Sequence, residues 1–367
     1  MDCASFVDLT AAASESQNGP EIRSRRIIMK VLCLMLASLL WSPVSSFAQA
    51  PSESVPAGAR IPTTGFPRWN EAMNEVVLYR DQDSTSEIAL EIYDTTTGAE
   101  RTINILKDFP QSSAVIIANV AVGADGRIVV VCRLQSSSGG LLKDLILSYG
   151  PSLTLDKVWD VAPYEPSAVA VDEQGNVYSV GTRYDEKSAG QSYPILVMYG
   201  SEGRVRKEML PRSTFPSEID PVRDIQQMGF VTIRVTDTRI FLYLPSVHDV
   251  LTLDKDGKIL KQVDAYEIYQ RLAREKGYTD FFARDDYFSS HGDLWSGLIL
   301  RPPSASSEKT GVYTSVIVQL TKAGQAEVQN EEEDHFSLRL AGVMPSNEPV
   351  ILHIDAPGSG VLGIGIH

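Results

Sequence analysis

Few residues in this chain are of a type and spacing that could do chemistry. Asp285-Asp286 and the nearby His291, with Asp224 on an earlier loop, are the oxygen and nitrogen donors that could converge on a divalent ion, calcium or zinc. Their spacing fits no single-segment metal motif, so the ligands would have to be gathered from separate parts of a fold. Arg80, Arg133, Arg183 and Arg301 each close a β-rich run. A guanidinium there can grip a carboxylate or phosphate with two donors, or simply end a strand in solvent. Tyr278, Phe281 and Phe282 crowd together with Tyr287 and Phe288, as one wall of a pocket or as packing for a helix.

No catalytic residue is assigned. The five histidines, His248, His291, His335, His353 and His367, all lie in the second half and form no His-x-x-x-His, and there is no Cys-x-x-Cys. A serine hydrolase would need a Gly-x-Ser-x-Gly elbow, which is absent. Gly358-Ser-Gly-Val-Leu-Gly363 fits a dinucleotide-binding pattern, but only four residues follow it. That leaves no helix whose N-terminus would hold a pyrophosphate, so the run reads as a glycine-rich strand.

The elements that must position these residues repeat. Six runs share one pattern, a polar turn followed by a β-branched or aromatic strand: Glu75-Val-Val-Leu-Tyr, Arg127-Ile-Val-Val-Val, Asn176-Val-Tyr-Ser-Val, Arg239-Ile-Phe-Leu-Tyr, Asp293-Leu-Trp-Ser-Gly and Pro349-Val-Ile-Leu-His. The second residues, Val76, Ile128, Val177, Ile240, Leu294 and Val350, are 52, 49, 63, 54 and 56 residues apart. A period of this length built from hairpins predicts a β-propeller. Inner hairpins run from 114–122 into 128–134, from 168–171 into 177–181 and from 230–235 into 240–244. Outer hairpins follow, with Tyr93, Tyr149, Tyr199, Leu253 and Leu320 just before their turns. The fold class is therefore all-β: six blades of four antiparallel strands, with a sandwich or a seven-bladed ring as the alternatives.

The third unit, Pro166-Ser-Ala-Val-Ala-Val-Asp-Glu-Gln-Gly-Asn-Val-Tyr-Ser-Val-Gly-Thr-Arg183, resembles the repeat of NHL-type and related TolB-like six-bladed propellers. The match covers about sixteen residues and departs at Gly181-Thr-Arg183, where the family carries Ala-Asp. The resemblance implies the fold and transfers no catalytic residue, because propellers of this kind include binding modules, lactonases, lyases and scaffolds.

Three irregular segments stand apart from the repeats. Asp264-Ala-Tyr-Glu267 is a capping box, and Gly277 is a fit C-terminal stop, so a short helix is predicted over 265–276 within the long linker 264–292. The linker 206–228 is rich in proline and charge. The sixth unit lacks an outer hairpin, and a segment within 58–69 is expected to donate its missing strand and remove an open edge. Linkers between blades are expected on the channel face, which places the aromatic run of 278–288 at a channel mouth.

The ends and the charge bound the function. Arg23, Arg25, Arg26 and Lys30 precede an apolar run over 31–41, and Ala48-Gln49-Ala50 follows. This is the layout of a secretory signal peptide with cleavage after Ala50. A short linker 51–60 and one propeller domain 61–367 complete the expected organisation, and Met29 is a plausible alternative start. The apolar run is short of the roughly 20 residues of a membrane span. The product is expected to be an exported monomer, periplasmic or extracellular, without a span in its mature part. The net charge is −14, and residues 1–50 carry equal numbers of acids and bases, so the balance survives processing. Such a surface argues against nucleic acid as a partner. Cys132, inside an apolar strand, reads as a small buried hydrophobe. The first functional expectation is a binding module for a protein, peptide or glycan on the channel face. The alternative is an extracytoplasmic metal-dependent hydrolase or lyase of the lactonase type. A place in a larger envelope assembly is a third.

Overall fold

A computed structural model describes residues 60–62, 65–83, 85–183, 193–223, 228–303, 313–333, 338–356 and 359–364. The signal peptide, the cleavage site at Ala50, Asp224 and His335 lie outside these residues. Six antiparallel sheets follow one another along the chain. Their innermost strands are Phe66–Asn70, Ala114–Val122, Tyr164–Val171, Thr232–Val235, Asp280–Phe288 and Leu338–Val343. Each inner strand touches those of the preceding and following blades, and the first touches the last, so the blades close into a ring.

Closure is made as the sequence predicts. Arg60–Pro62 pairs with Ser359–Ile364 and supplies the outer strand of blade 6, in the order Arg60–Pro62, Ser359–Ile364, Pro349–Ala356, Leu338–Val343. Ile61, 2% exposed, is sealed there against Trp69, Val350 and Leu362. Burying such a side chain stabilises the closure by about 1.5–3 kcal/mol. Blade 2 departs from four strands: Gln82–Asp83 adds a fifth beside Ala114 and Val115.

The helix is Ala265–Glu275, capped at its start by Asp264, whose Oδ1 accepts the Glu267 amide at 3.2 Å. Gly277 takes a φ of +85° just past its end, which a residue with a Cβ would rarely adopt. Two expectations need correction. The segment 280–288 is not linker but the inner strand of blade 5: its more and less buried residues alternate in a two-residue period that shifts once, beside a bulge between Ala283 and Asp285. The linker of 206–228 likewise begins as Val205–Pro211, the outer strand of blade 3.

Inner strands of blades 2, 3, 5 and 6 each carry such a bulge, between Ile117 and Asn119, Pro166 and Ala168, Ala283 and Asp285, and Leu340 and Gly342. Blades 1 and 4 have short, regular inner strands instead. These two stand opposite each other in a ring of six.

Candidate functional site

A cavity of about 910 Å³ occupies the ring axis, lined by the inner strands of all six blades and by the turns that follow them. On blades 1 and 4 the lining starts, in chain order, at Arg68 and at Thr232. Two residues earlier on each blade, Phe66 and Phe230 meet edge-to-face across the ring at 5.4 Å. Neither ring belongs to the cavity lining, which runs from these strands into the inner-hairpin turns; we call this cavity the pit. Among the described residues the large cavity thus stands at the end of the ring opposite the helix and the blade-to-blade linkers, where the sequence had placed the channel face.

One layer of the pit wall is set by register. The inner-strand residues paired with the residue after each repeat marker are Arg68 with Val77, Ala121 with Val129, Ala170 with Tyr178, Arg234 with Phe241, Tyr287 with Trp295 and Leu340 with Ile351. The first five of these line the cavity. Two arginines on opposed blades therefore share one level with two alanines and a tyrosine, and the small alanines leave the arginines room.

Arg68 donates through Nη1 to the Tyr287 hydroxyl and to the Pro67 carbonyl. Its guanidinium lies 4.6 Å from the Tyr287 ring centroid and 5.6 Å from that of Tyr79. Arg234 donates from Nη1 to the Phe288 carbonyl at 3.2 Å, and burial lowers its pKa. Neither makes an ion pair among the described residues. Below them, Arg339 grips Asp285 with both prongs, Nη2 to Oδ1 at 2.7 Å and Nε to Oδ2 at 3.1 Å, and reaches the Gly65 carbonyl at 2.9 Å. Arg284, at the bulge, is brought down to a pKa of about 10 by burial and then by repulsion from Arg339.

Asp286 points the other way, as neighbours on a strand must. Its Oδ1 accepts Ser296 Oγ at 2.5 Å, and Ser296 also meets the Tyr269 hydroxyl of the helix at 2.8 Å. Oδ2 has no hydrogen-bond partner and rests against Gly229, where a Cβ would come within 2.1 Å of it. Burial pushes this carboxyl up to about 7; the Ser296 hydrogen bond opposes the rise and the charge of Asp285 adds to it.

The metal candidates are not brought together. Asp285 is committed to Arg339, Asp286 faces the helix, and His291 is exposed in the inner turn of blade 5. No three His, Cys, Asp or Glu side chains among the described residues stand close enough to hold a metal ion. Asp285, Asp286 and His291 thus form no such group among the described residues, and Asp224 lies outside them.

The other candidates are dispersed. Arg80 pairs with Glu91 at 2.5 Å, Arg133 with Asp144 at 3.2 Å and with Glu165, and Arg301 with Asp280 at 3.8 Å. Arg183 ends its strand opposite Tyr164. None of the four lines the pit. Phe281 is 1% exposed and packs on Tyr266 and Tyr269 of the helix, while the Tyr278 hydroxyl meets Thr314. Phe282 is half-buried on the same strand. A shallower depression of about 420 Å³ beside the helix includes Arg301, Tyr266 and Gln270. Arg68 and Arg234 were missed because strand-end arginines were compared with the markers along the chain. Their signal is the antiparallel partner of each marker, which brings both to one register position.

No protein-family model and no curated protein matches the sequence. Solved structures do. The hydrazine synthase of Kuenenia stuttgartiensis is 11% identical with a TM-score of 0.43, over 84% of this chain and 80% of that one. A streptogramin B lyase is 9% identical with a TM-score of 0.42, over 84% and 95%. A gluconolactonase from Xanthomonas campestris is 11% identical with a TM-score of 0.41, over 85% and 87%. These likenesses assign neither a family nor a function to this chain.

Proposed function

We propose that this chain is an exported binding propeller that takes a peptide, protein segment or glycan into its axial pit. The observation that supports this reading is the pit itself, about 910 Å³ and lined by all six blades. That volume is at the upper end of the roughly 300–1,000 Å³ common for ligand pockets. Export rests on the basic, apolar and Ala-x-Ala segments before Pro51. A metal-dependent hydrolase of the lactonase type would ask for three converging ligands, which the described residues do not assemble, so the binding reading is preferred.

The test is a thermal-shift panel of peptides and oligosaccharides on the exported protein, beside an Ala121→Trp variant that fills the wall of the pit. A ligand that raises the melting temperature of the parent by several degrees and not that of the variant supports the reading. Equal protection of both proteins, or turnover of a lactone with calcium or zinc added, overturns it. N-terminal sequencing of the exported protein is expected to begin at Pro51.

A further inference from the structure

The pit has a chemical polarity that goes beyond its being a pit. Arg68 and Arg234 occupy one register position on opposed blades, and each spends only Nη1 on the protein. Their remaining nitrogens are without protein partners among the described residues. They are not sealed either: the Nε of Arg80, by contrast, is buried without a partner, and no nitrogen of Arg68 or Arg234 is in that state. Open donors on a half-buried cation, with no carboxylate in ion-pair range, are an unusual arrangement in a chain of net charge −14. A guanidinium removed from bulk water whose carboxylates stand beyond ion-pair range, as Asp285 does from Arg68 and Glu71 from Arg234, keeps a desolvation cost that a directly bound anion lowers.

Neighbouring side chains hold these guanidiniums in place. Tyr287 and Tyr79 sandwich Arg68 through their ring faces, and the Tyr287 hydroxyl in turn donates to the Pro67 carbonyl. A side chain so fixed loses little further freedom on binding. Asp285 spends both oxygens on Arg339, so its charge, like that of Asp286, acts on Arg68 without a hydrogen bond to it, as Glu71 acts on Arg234. The mouth has the opposite sign. Glu71, Glu173 and Asp237 are exposed there and line the same cavity.

We propose that the pit binds a carboxylate-bearing ligand acid-first, the carboxylate reaching Arg68 and Arg234 while a neutral or cationic remainder passes the acidic mouth. An extended polyanion is turned away at the mouth, whereas a single terminal acid is not. Two sources share this chemistry: the free C-terminus of a peptide, and the acid of a uronate-ended glycan. This inference rests on the pit-binding function proposed above and names the ligand class for it.

The probes are the peptide Gly-Lys-Gly-Gly with a free C-terminus, the same peptide amidated, a galacturonic acid dimer and its neutral galactose counterpart, titrated by calorimetry into the exported protein. One acid is expected to bind at least tenfold tighter than its neutral partner, and which pair shows the difference tells peptide from glycan. Arg68→Gln is expected to erase the preference. Arg234→Gln, whose single backbone bond makes it the milder change, is expected to reduce it, and Arg234→Lys to restore it in part. Unchanged melting temperatures keep these variants informative, and Arg234→Gln carries the test if Arg68→Gln fails to fold. Equal binding of acid and neutral forms, lost in Ala121→Trp but untouched by the arginine variants, overturns the acid-first inference and leaves the pit as a binding site. No binding of any of the four overturns the inference for both sources, while the wider panel decides the pit itself.

Discussion

Blades 3 and 5 have the same strands in the same order, and they use their inner strands in different ways. In blade 3 the strand Tyr164–Val171 is mostly apolar: Tyr164 ties its own sheet together by hydroxyl contacts to the Ser179 and Ile195 carbonyls, and among the described residues only Glu165, near the strand's start, reaches another blade, at Arg133 of blade 2. In blade 5 the strand Asp280–Phe288 carries Arg284, Asp285, Asp286 and Tyr287 in a row; two of these bond to other blades and a third is linked to the helix through its own sheet. Asp285 binds Arg339 of blade 6, Tyr287 binds Arg68 of blade 1, and Asp286 joins the helix through Ser296. A blade with a single tie, at the start of its inner strand, can follow the repeat. A blade that ties its neighbours together and shapes the pit has to break it.

The largest expected effect comes from cutting one of those ties. Asp285→Ala leaves the guanidinium of Arg339, 5% exposed, buried without its carboxylate, and should cost about 3–5 kcal/mol in urea unfolding. Adding Arg339→Met should recover much of that loss, because two apolar side chains leave no orphan charge. A cost no greater than that of Tyr164→Phe in blade 3, about 1 kcal/mol for one hydroxyl hydrogen bond, would erase the contrast between the blades.

Asp286 gives the contrast a pH dependence. Its folded pKa near 7 lies above the ordinary aspartate value near 4, so the folded state keeps a proton that the unfolded state releases between those values. Below pH 4 both states are protonated and the group is neutral towards stability. From pH 4 to 7 stability falls as pH rises, and above 7 the full penalty remains. It amounts to up to about 4 kcal/mol at 1.4 kcal/mol per pKa unit, less whatever an amide loses against Gly229. Asp286→Asn should therefore flatten the decline in urea midpoint between pH 5 and 8. An unchanged slope would place the titrating group elsewhere.

The same contrast explains what could be read without the structure. The markers Val76 to Val350, the closing strand and the Asp264 cap were legible because each follows a local rule: alternation, an unpaired edge, a side chain three residues from an amide. Asp285 and Asp286 were legible as residue types but not as partners, since adjacent carboxylates on a strand point to opposite neighbours. One of those neighbours, Arg339, stands 54 residues away in sequence. The aromatic run over 278–288 looked like linker because a bulge at Arg284 shifts its two-residue period midway. Arg68 and Arg234 became significant only when hairpin register placed them at one level. Export and the cleavage site rest on residues outside those described.

The smallest expected effect refines the role of blade 5. Asp264→Ala removes the side chain that holds the Glu267 amide and should cost about 1 kcal/mol. The loss belongs to the first helical turn. Tyr269, fully buried one turn further on, stays packed against Phe281 at 5.6 Å and keeps its hydroxyl on Ser296. Amide exchange at the helix start should quicken while the pH slope set by Asp286 does not move. Tyr269→Phe should do the reverse: it frees Ser296 from its second partner, strengthens the bond to Asp286 and lowers that carboxyl's pKa, with exchange at the helix start unchanged. If Asp264→Ala alone shifts the Asp286 titration, the helix and the inner strand of blade 5 act as one unit, and the cap belongs to the same set of ties as Arg339 and Arg68.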